Sequence, residues 1–355
     1  MAHRKLLSRC LTTITVAMFA VAWVESAAAQ SAFYKGKTIT IVQGRSPGGQ
    51  GDVRVRALLP ILQKNIPGNP AIVSEYMDGG GGRKAANHMF RVARPDGLTI
   101  ANIGEGFVSS AVLGESGVQY DIDKFIYLGA GSSQTNYVFY TRSKLDLYSI
   151  EKLRAASGVR VGGQTVGHSI YIVGRMFTWL LELKEPKFIP GYSGPDLDAA
   201  LLQGEIDARA SVPDDITRRG DWLEKGLVHW QALFEIPRGY RVPHPAFSKI
   251  PSLDTFAKTD RGKKILVMAR NFRLIGVPYI LPPGSPPDAA EILKAAFRKS
   301  LNDPEFHANM KKLTGGAAAP LMPEEQEKAI REIPREPESI ETYKKIAGPD
   351  PLPPL

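Results

Sequence analysis

Along the chain, short β-branched or apolar runs alternate with stretches whose apolar residues recur every three to four positions. That is the order of strands and helices that builds an α/β fold with largely parallel sheets. Residues 38–42 (Thr-Ile-Thr-Ile-Val) predict a buried strand. A helix is expected over 53–66, with Val55, Leu58, Leu59 and Leu62 on its apolar face and Pro60 kinking or shortening it. Pro67-Gly68-Asn69-Pro70 ends the unit before a short strand at 71–73. Four glycines at 79–82 then lead into a helix over 83–93, and Arg94-Pro95-Asp96-Gly97 turns into a strand at 98–103. A short helix over 107–113 and strands at 124–130 and 137–141 follow.

The middle of the chain repeats this logic. It predicts strands at 159–161, 188–190 and 206–210, with helices over 169–183 and 195–202 between them. An apolar strand is expected at 273–281, then helices over 288–302 and from 305 to 313. The sign-alternating residues 324–341 look like a solvated helix surface. Residues 348–355 hold four Pro and read as a loose tail. The spacing suits two lobes with chain crossings near 130 and 250. One lobe takes 30–131 and 251–347, and the other takes 132–250.

The first 29 residues stand apart. Arg4, Lys5 and Arg9 precede an apolar stretch from 11 to 24, and Ala27-Ala28-Ala29 supplies the small residues of a signal-peptidase site. A secretory signal cleaved after Ala29 is expected, and with it an exported protein. The apolar stretch is short beside the roughly 20 residues of a spanning helix. The single Cys, Cys10, would leave with the signal, so no disulfide framework or Cys-based metal site is expected.

Composition adds little that is specific. With 43% hydrophobic and 23% charged residues the chain is globular. Its net charge of +9 comes from basic residues that are scattered, which favours anionic small ligands or a plain solvated surface over nucleic acid.

Three places combine a strand, a Gly-, Ser- or Thr-rich loop and a helix: residues 44–52, 104–106 and 162–168. The first N–H groups of a helix lack partners and carry partial positive charge, so they suit an anion. Loops of this kind are Gly-rich in any α/β protein; three of them together favour a ligand cleft without naming the ligand. Residues 79–84 resemble a phosphate cradle but fit better as a tight turn into the following helix. Enzyme signatures are scarce. There is no phosphate-loop motif and no G-x-S-x-G elbow, and the six His include no H-E-x-x-H. No cofactor, metal or catalytic residue is expected. A secreted hydrolase using Thr165 or Ser169 with His168 is the alternative from another class, and a ligand-sensing adaptor for a membrane sensor is a third.

Pro47-Gly48-Gly49-x-x-Asp52, Ile66 to Pro70, Asp78 to Asn87 and Pro95-Asp96-Gly97 together resemble the Bug/TctC family, the periplasmic substrate-binding receptors of tripartite tricarboxylate transporters. The likeness resumes at Gly191-Tyr192-Ser193-Gly194, at 202–207 and at 282–287, covering nearly the whole chain after the signal. It implies an α/β, two-lobed type II periplasmic-binding-protein fold that closes over a small carboxylate. It also implies large and small membrane subunits of a transporter as partners. By position, the ligand residues would be Ser46, Gly48, Gly49, Gln50 and Asp52, then Gly104, Glu105 and Gly106, then Gln164, Thr165 and His168, with Tyr192 and Asp207 in matched segments. Two positions depart from the family. Arg45 stands where an aromatic residue is frequent, and Glu105 stands near a usual small hydroxyl residue. Arg45 can clamp a carboxylate bidentately, and Glu105 can accept an ammonium group, which admits an amino acid as ligand. Alternatively, the two pair with each other or Glu105 turns to solvent.

Overall fold

The computed structural model describes residues 33–104, 106–213, 222, 224–314 and 317–355. The expected export signal and Glu105 lie outside the described residues. Two compact units divide the chain. The first comprises residues through Phe107, Gly117–Ser132 and Val277–Gln326; the second comprises Val108–Ser116, Ser133–Gly276 and Glu327–Leu355.

In chain order the first stretch holds β1 (Thr38–Gln43), α1 (Gln50–Asn65), β2 (Ala71–Tyr76), α2 (Arg83–Arg91), β3 (Thr99–Asn102), α3 (Gly106–Val112) and β4 (Ile126–Gly129). The second unit continues with β5 (Thr135–Arg142), α4 (Ile150–Ala155), β6 (Arg160–Gly162), α5 (Ser169–Leu180), β7 (Lys187–Ile189), α6 (Gly194–Gln203) and β8 (Ala208–Ser211). After β9 (Val228–Ile236), α7 (Pro245–Ser248) and α8 (Asp260–Leu274) the chain returns to the first unit. There it forms β10 (Tyr279–Leu281), α9 (Pro287–Leu301) and α10 (Pro304–Thr314), and it ends with α11 (Pro323–Arg331) and α12 (Pro337–Ala347).

Each unit carries one five-stranded sheet, ordered β2-β1-β3-β10-β4 in the first and β7-β6-β8-β5-β9 in the second. Both follow the same plan. Three strands run parallel and a fourth lies antiparallel beside them, the late strand β10 in the first sheet and the earlier strand β5 in the second. In the first unit, Ile39 and Ile41 of β1 bury against Val55, Leu58, Ile61 and Leu62 of α1 and Leu293, Phe297 and Leu301 of α9. In the second, Phe139 of β5 stacks on Phe177 of α5 with ring centroids 5.4 Å apart.

Several expectations change. Helix α1 runs unbroken through Pro60. Pro60 faces solvent, where the carbonyl that loses its donor can bond water, while Leu58, Ile61 and Leu62 on the other face hold the helix to the sheet. The strand expected at 273–281 shrinks to Tyr279–Leu281, because α8, capped by Thr259 accepting from the Gly262 N–H, continues to Leu274. Strand β9 had no counterpart in the sequence-based expectation. Residues 251–276 and 327–347 group with the second unit. Arg270 of α8 donates to the Glu235 carbonyl of β9 at 2.9 Å, and α12 is bound by α5.

The tail is not loose. Fully buried Arg175 of α5 donates to the carbonyls of Ile346 (2.8 Å), Lys345 (3.1 Å) and Asp350 (2.5 Å). These include last-turn carbonyls of α12, which lack helical partners. Arg175 also lies over the Phe188 ring at 4.3 Å. Tyr171 and Trp179 add hydrogen bonds to the carbonyls of Gly348 (3.2 Å) and Pro353 (2.8 Å). Proline has no N–H to satisfy but keeps its carbonyl, so a Pro-rich segment can be strapped down by side-chain donors alone. Arg175→Ala strands three carbonyls and empties a buried volume, and should cost about 3 kcal/mol or more in urea unfolding. A loss below about 0.5 kcal/mol would mean that the strap contributes nothing.

Candidate functional site

The parallel strands place the candidate loops. From β1 the chain crosses to β2 on one side, then returns to β3 on the other, so the strand order reverses between β1 and β3. The same reversal falls between β6 and β8. Open α/β sheets bind ligands outside the carboxyl ends of strands at such switch points. Loop 44–49 follows β1, residues 103–106 follow β3, and loop 163–168 follows β6.

In the first unit one carboxylate shapes the first loop. Asp52, 2% exposed, accepts from Gln43 Nε2 (2.9 Å), the Gly48 N–H (2.9 Å) and Tyr76 Oη (2.9 Å), with Arg56 at 3.3 Å. Burial alone would raise its pKa; the bonds from Gly48, Gln43 and Tyr76, with Arg56, outweigh it and hold the carboxyl below its ordinary value. Asp52 was expected to meet ligand. Its oxygens are instead engaged in folding residues 46–49 outward, where all four are exposed. Ser46 donates to Asp78 Oδ2 at 2.5 Å. No side chain caps α1 at Gly49.

Arg45 folds back rather than outward. Its Nη2 donates to the Asn102 carbonyl (3.2 Å) and Oδ1 (2.8 Å). Asn102 is itself fixed by donating to the carbonyls of Val277 (3.1 Å) and Pro278 (3.3 Å). The four glycines at 79–82 form the expected tight turn, all with positive φ. They also pack on the second loop: a Cβ at Gly82 would sit 2.7 Å from Ile103. The structure thus brings Arg45, Ser46, Gly48 and Gly49 to the same sheet end as Gly104 and Gly106. Gln50 opens α1, and its side chain is outside the described atoms.

In the second unit Gln164, Thr165 and His168 share a loop, joined by Tyr192 through its N–H to the Gly163 carbonyl (3.4 Å). His168 caps α5: its Nδ1 accepts the Ile170 N–H at 3.2 Å. Partial withdrawal of the ring from water, then the nearby charge of Arg273, lowers its pKa. The Tyr192 hydroxyl turns to Glu205 (3.2 Å). Asp207 departs from expectation. It precedes β8 at the amino end of β6, whereas loop 163–168 follows the carboxyl end. It accepts from Arg160 N–H (3.0 Å), Nε (2.9 Å) and Nη2 (2.7 Å), with Arg142 at 3.4 Å. Burial opposes its ionisation, but the Arg160 bonds prevail and its pKa is lowered. Asp207 therefore ties β6 to β8. Asn102 and Arg273 were missed, and Asp78, quoted only as the start of a matched segment, was given no role; Asn102, a polar residue ending an apolar strand, left a trace in the sequence. Among the described residues, no group of three His, Cys, Asp or Glu could hold a metal, and no helix is long and apolar enough to cross a membrane.

Solved structures share this architecture. A TctC solute-binding protein from Polaromonas superposes with a TM-score of 0.64 at 17% identity, covering 88% of this chain and 98% of that one. The chain has the fold of the Bug/TctC solute-binding proteins. BugD, a periplasmic binding protein, matches with a TM-score of 0.52 at 20% identity over 90% of this chain and all of its own. An R. palustris protein solved with adipate gives 0.52 at 16% identity, covering 88% and 97%. No family model and no curated protein matches the sequence. The architecture is accordingly the type II periplasmic-binding-protein fold, with one α/β unit per lobe.

The sign of the His168 shift fixes a pH dependence. Above about pH 6.5 the ring is neutral whether folded or unfolded. As pH falls below that, the unfolded chain takes a proton that the folded ring resists, and stability declines toward the lower folded pKa. Protonation also removes the Nδ1 acceptor of the cap. His168→Asn retains a capping acceptor and does not titrate, so its denaturation midpoint should decline less across this window. Superimposable pH profiles of the two proteins would refute the assignment.

Proposed function

We propose that this protein is a periplasmic solute-binding receptor that captures a small organic carboxylate. It would present that solute to the large and small membrane subunits of a tripartite tricarboxylate-type transporter. The observation that carries this reading is the composition of both loop sets at the switch points. Residues 46–49 (Ser-Pro-Gly-Gly) and 165–168 (Thr-Val-Gly-His) are exposed, each with glycine and one hydroxyl, and each set abuts the N-terminus of a long helix. Backbone N–H groups and hydroxyls so placed suit a carboxylate. Ser46, Gly48, Gly49, Gln50, Gly104 and Gly106 would supply one set of donors, and Gln164, Thr165 and His168 the other. The adipate bound to the R. palustris protein agrees in chemical class. The pattern of residues 1–29 supports export, with cleavage after Ala29.

The hydrolase reading is weaker for a geometric reason. A catalytic imidazole uses Nδ1–H to contact an orienting acid. In His168 that nitrogen accepts a backbone N–H instead. Function then consists of a shift between conformations, driven by whatever difference in affinity the solute has for them.

Thermal denaturation of the exported form against mono-, di- and tricarboxylates and amino acids tests the proposal. A true ligand at about 100 times its Kd should add roughly 2.7 kcal/mol of stability and be recovered chemically unchanged. A panel that leaves the midpoint unmoved, or turnover of ester or amide probes lost in His168→Ala, would overturn it.

A further inference from the structure

In the first unit a cavity of about 20 Å³ is lined by Arg45, Gly51, Arg54, Asn102, Ser132 and Tyr279. That volume admits one water-sized occupant. A carboxylate, phosphate or sulfate, with three or more heavy atoms, is too large. The lining is cationic. The Arg45 guanidinium makes its hydrogen bonds to a single neutral residue, Asn102, and meets no carboxylate in contact among the described residues. Asp52 attracts it only from a distance, since the Asp52 oxygens are engaged elsewhere, and Arg54 opposes it with a like charge. Tyr279 is 3% exposed. No hydrogen bond involves its hydroxyl among the described residues, and the Arg45 charge acts on it. A phenol donor without a protein acceptor favours an acceptor in the cavity that Tyr279 lines.

Gly51 is what allows this arrangement. A Cβ there would lie 1.9 Å from Arg45 Nη1, so only glycine lets the guanidinium rest against the first turn of α1.

We propose that this cavity binds a single monovalent anion of halide size, held between the guanidinium groups of Arg45 and Arg54 with the Tyr279 hydroxyl as a third donor. The anion separates two like charges and accepts from the phenol, which a neutral water does less well. The site is independent of the solute reading. It can fail while carboxylates still bind at the loops, and the reverse also holds.

The test uses the exported form without any organic solute. Its melting midpoint is followed as chloride replaces gluconate at constant ionic strength, and crystals grown in bromide are examined by anomalous scattering. The expected result is a midpoint that rises saturably with chloride, and a bromide peak in the cavity. Arg45→Gln should weaken the chloride response about tenfold or more, the loss of one charge-assisted contact. Tyr279→Phe, which removes only the hydroxyl, should weaken it less, and Gly51→Ala should displace Arg45 with its charge intact and weaken it too. Equal midpoints in chloride and gluconate, a water in place of bromide, bromide binding at crystal concentration only, or unchanged responses in Tyr279→Phe and Gly51→Ala would each overturn the proposal.

Discussion

The first loop takes its shape from one buried carboxylate that is never without a donor. Asp52 receives bonds from the strand before the loop (Gln43), from the loop itself (Gly48) and from the neighbouring strand (Tyr76). An ionised carboxylate taken from water with fewer donors would cost several kcal/mol, so these groups must be present together. That requirement fixes where β1 ends, how residues 46–49 turn and where α1 begins. Glycine and proline make the turn possible; Asp52 makes it a single conformation. The second unit repeats the device at the other end of its sheet, where Asp207 gathers Arg160 and Arg142. The two acids are alike in chemistry and opposite in consequence, because one sits under a loop and the other under the strand starts.

Much of the architecture was legible in the sequence because local signals and tertiary demands agreed. The β-branched run at 38–42, the glycine turn at 79–82 and the start of α5 at Ser169 each specify their own structure locally. Elements were lost where the signal depends on a distant partner. Strand β9 carries polar His229, Gln231 and Glu235 among apolar neighbours. It reads as a strand only once Gln231 is seen donating to Thr141 Oγ1 (3.0 Å) and Glu235 accepting from Arg241 (2.6 Å). Helix α8 hid because its buried face includes Arg270 and Asn271. The tail misled for a related reason. Its composition is that of a disordered segment, but composition cannot show that Arg175, 171 residues before Ile346, stands ready to bind its carbonyls.

The candidate site was legible by position and illegible by role. Loop membership follows from strand–loop–helix order, so Ser46, Gly48, Gly49, Thr165 and His168 fall where expected. Whether a polar side chain faces a guest or braces the fold depends on partners that come from other strands. For Asp52 those partners are Gln43 and Tyr76, for Asp207 they are Arg160 and Arg142, and for Arg45 the partner is Asn102. A residue suited by type to bind a ligand is equally suited to bind its own protein.

That division of roles bears on the sign of the loops. Acids near them are engaged internally: Asp52 by Arg56 and three neutral donors, Asp196 by Ser193. Asp78 and Asp196 are bonded only to the neutral hydroxyls of Ser46 and Ser193, and both are exposed, where water and salt weaken their field. What the described loops offer outward is therefore mostly backbone N–H, hydroxyl and helix N-terminal dipole, with a guanidinium folded behind. All of these carry positive potential at short range. The positive potential of the described loops thus follows less from adding positive residues than from engaging internally the acids that the loops need in order to fold.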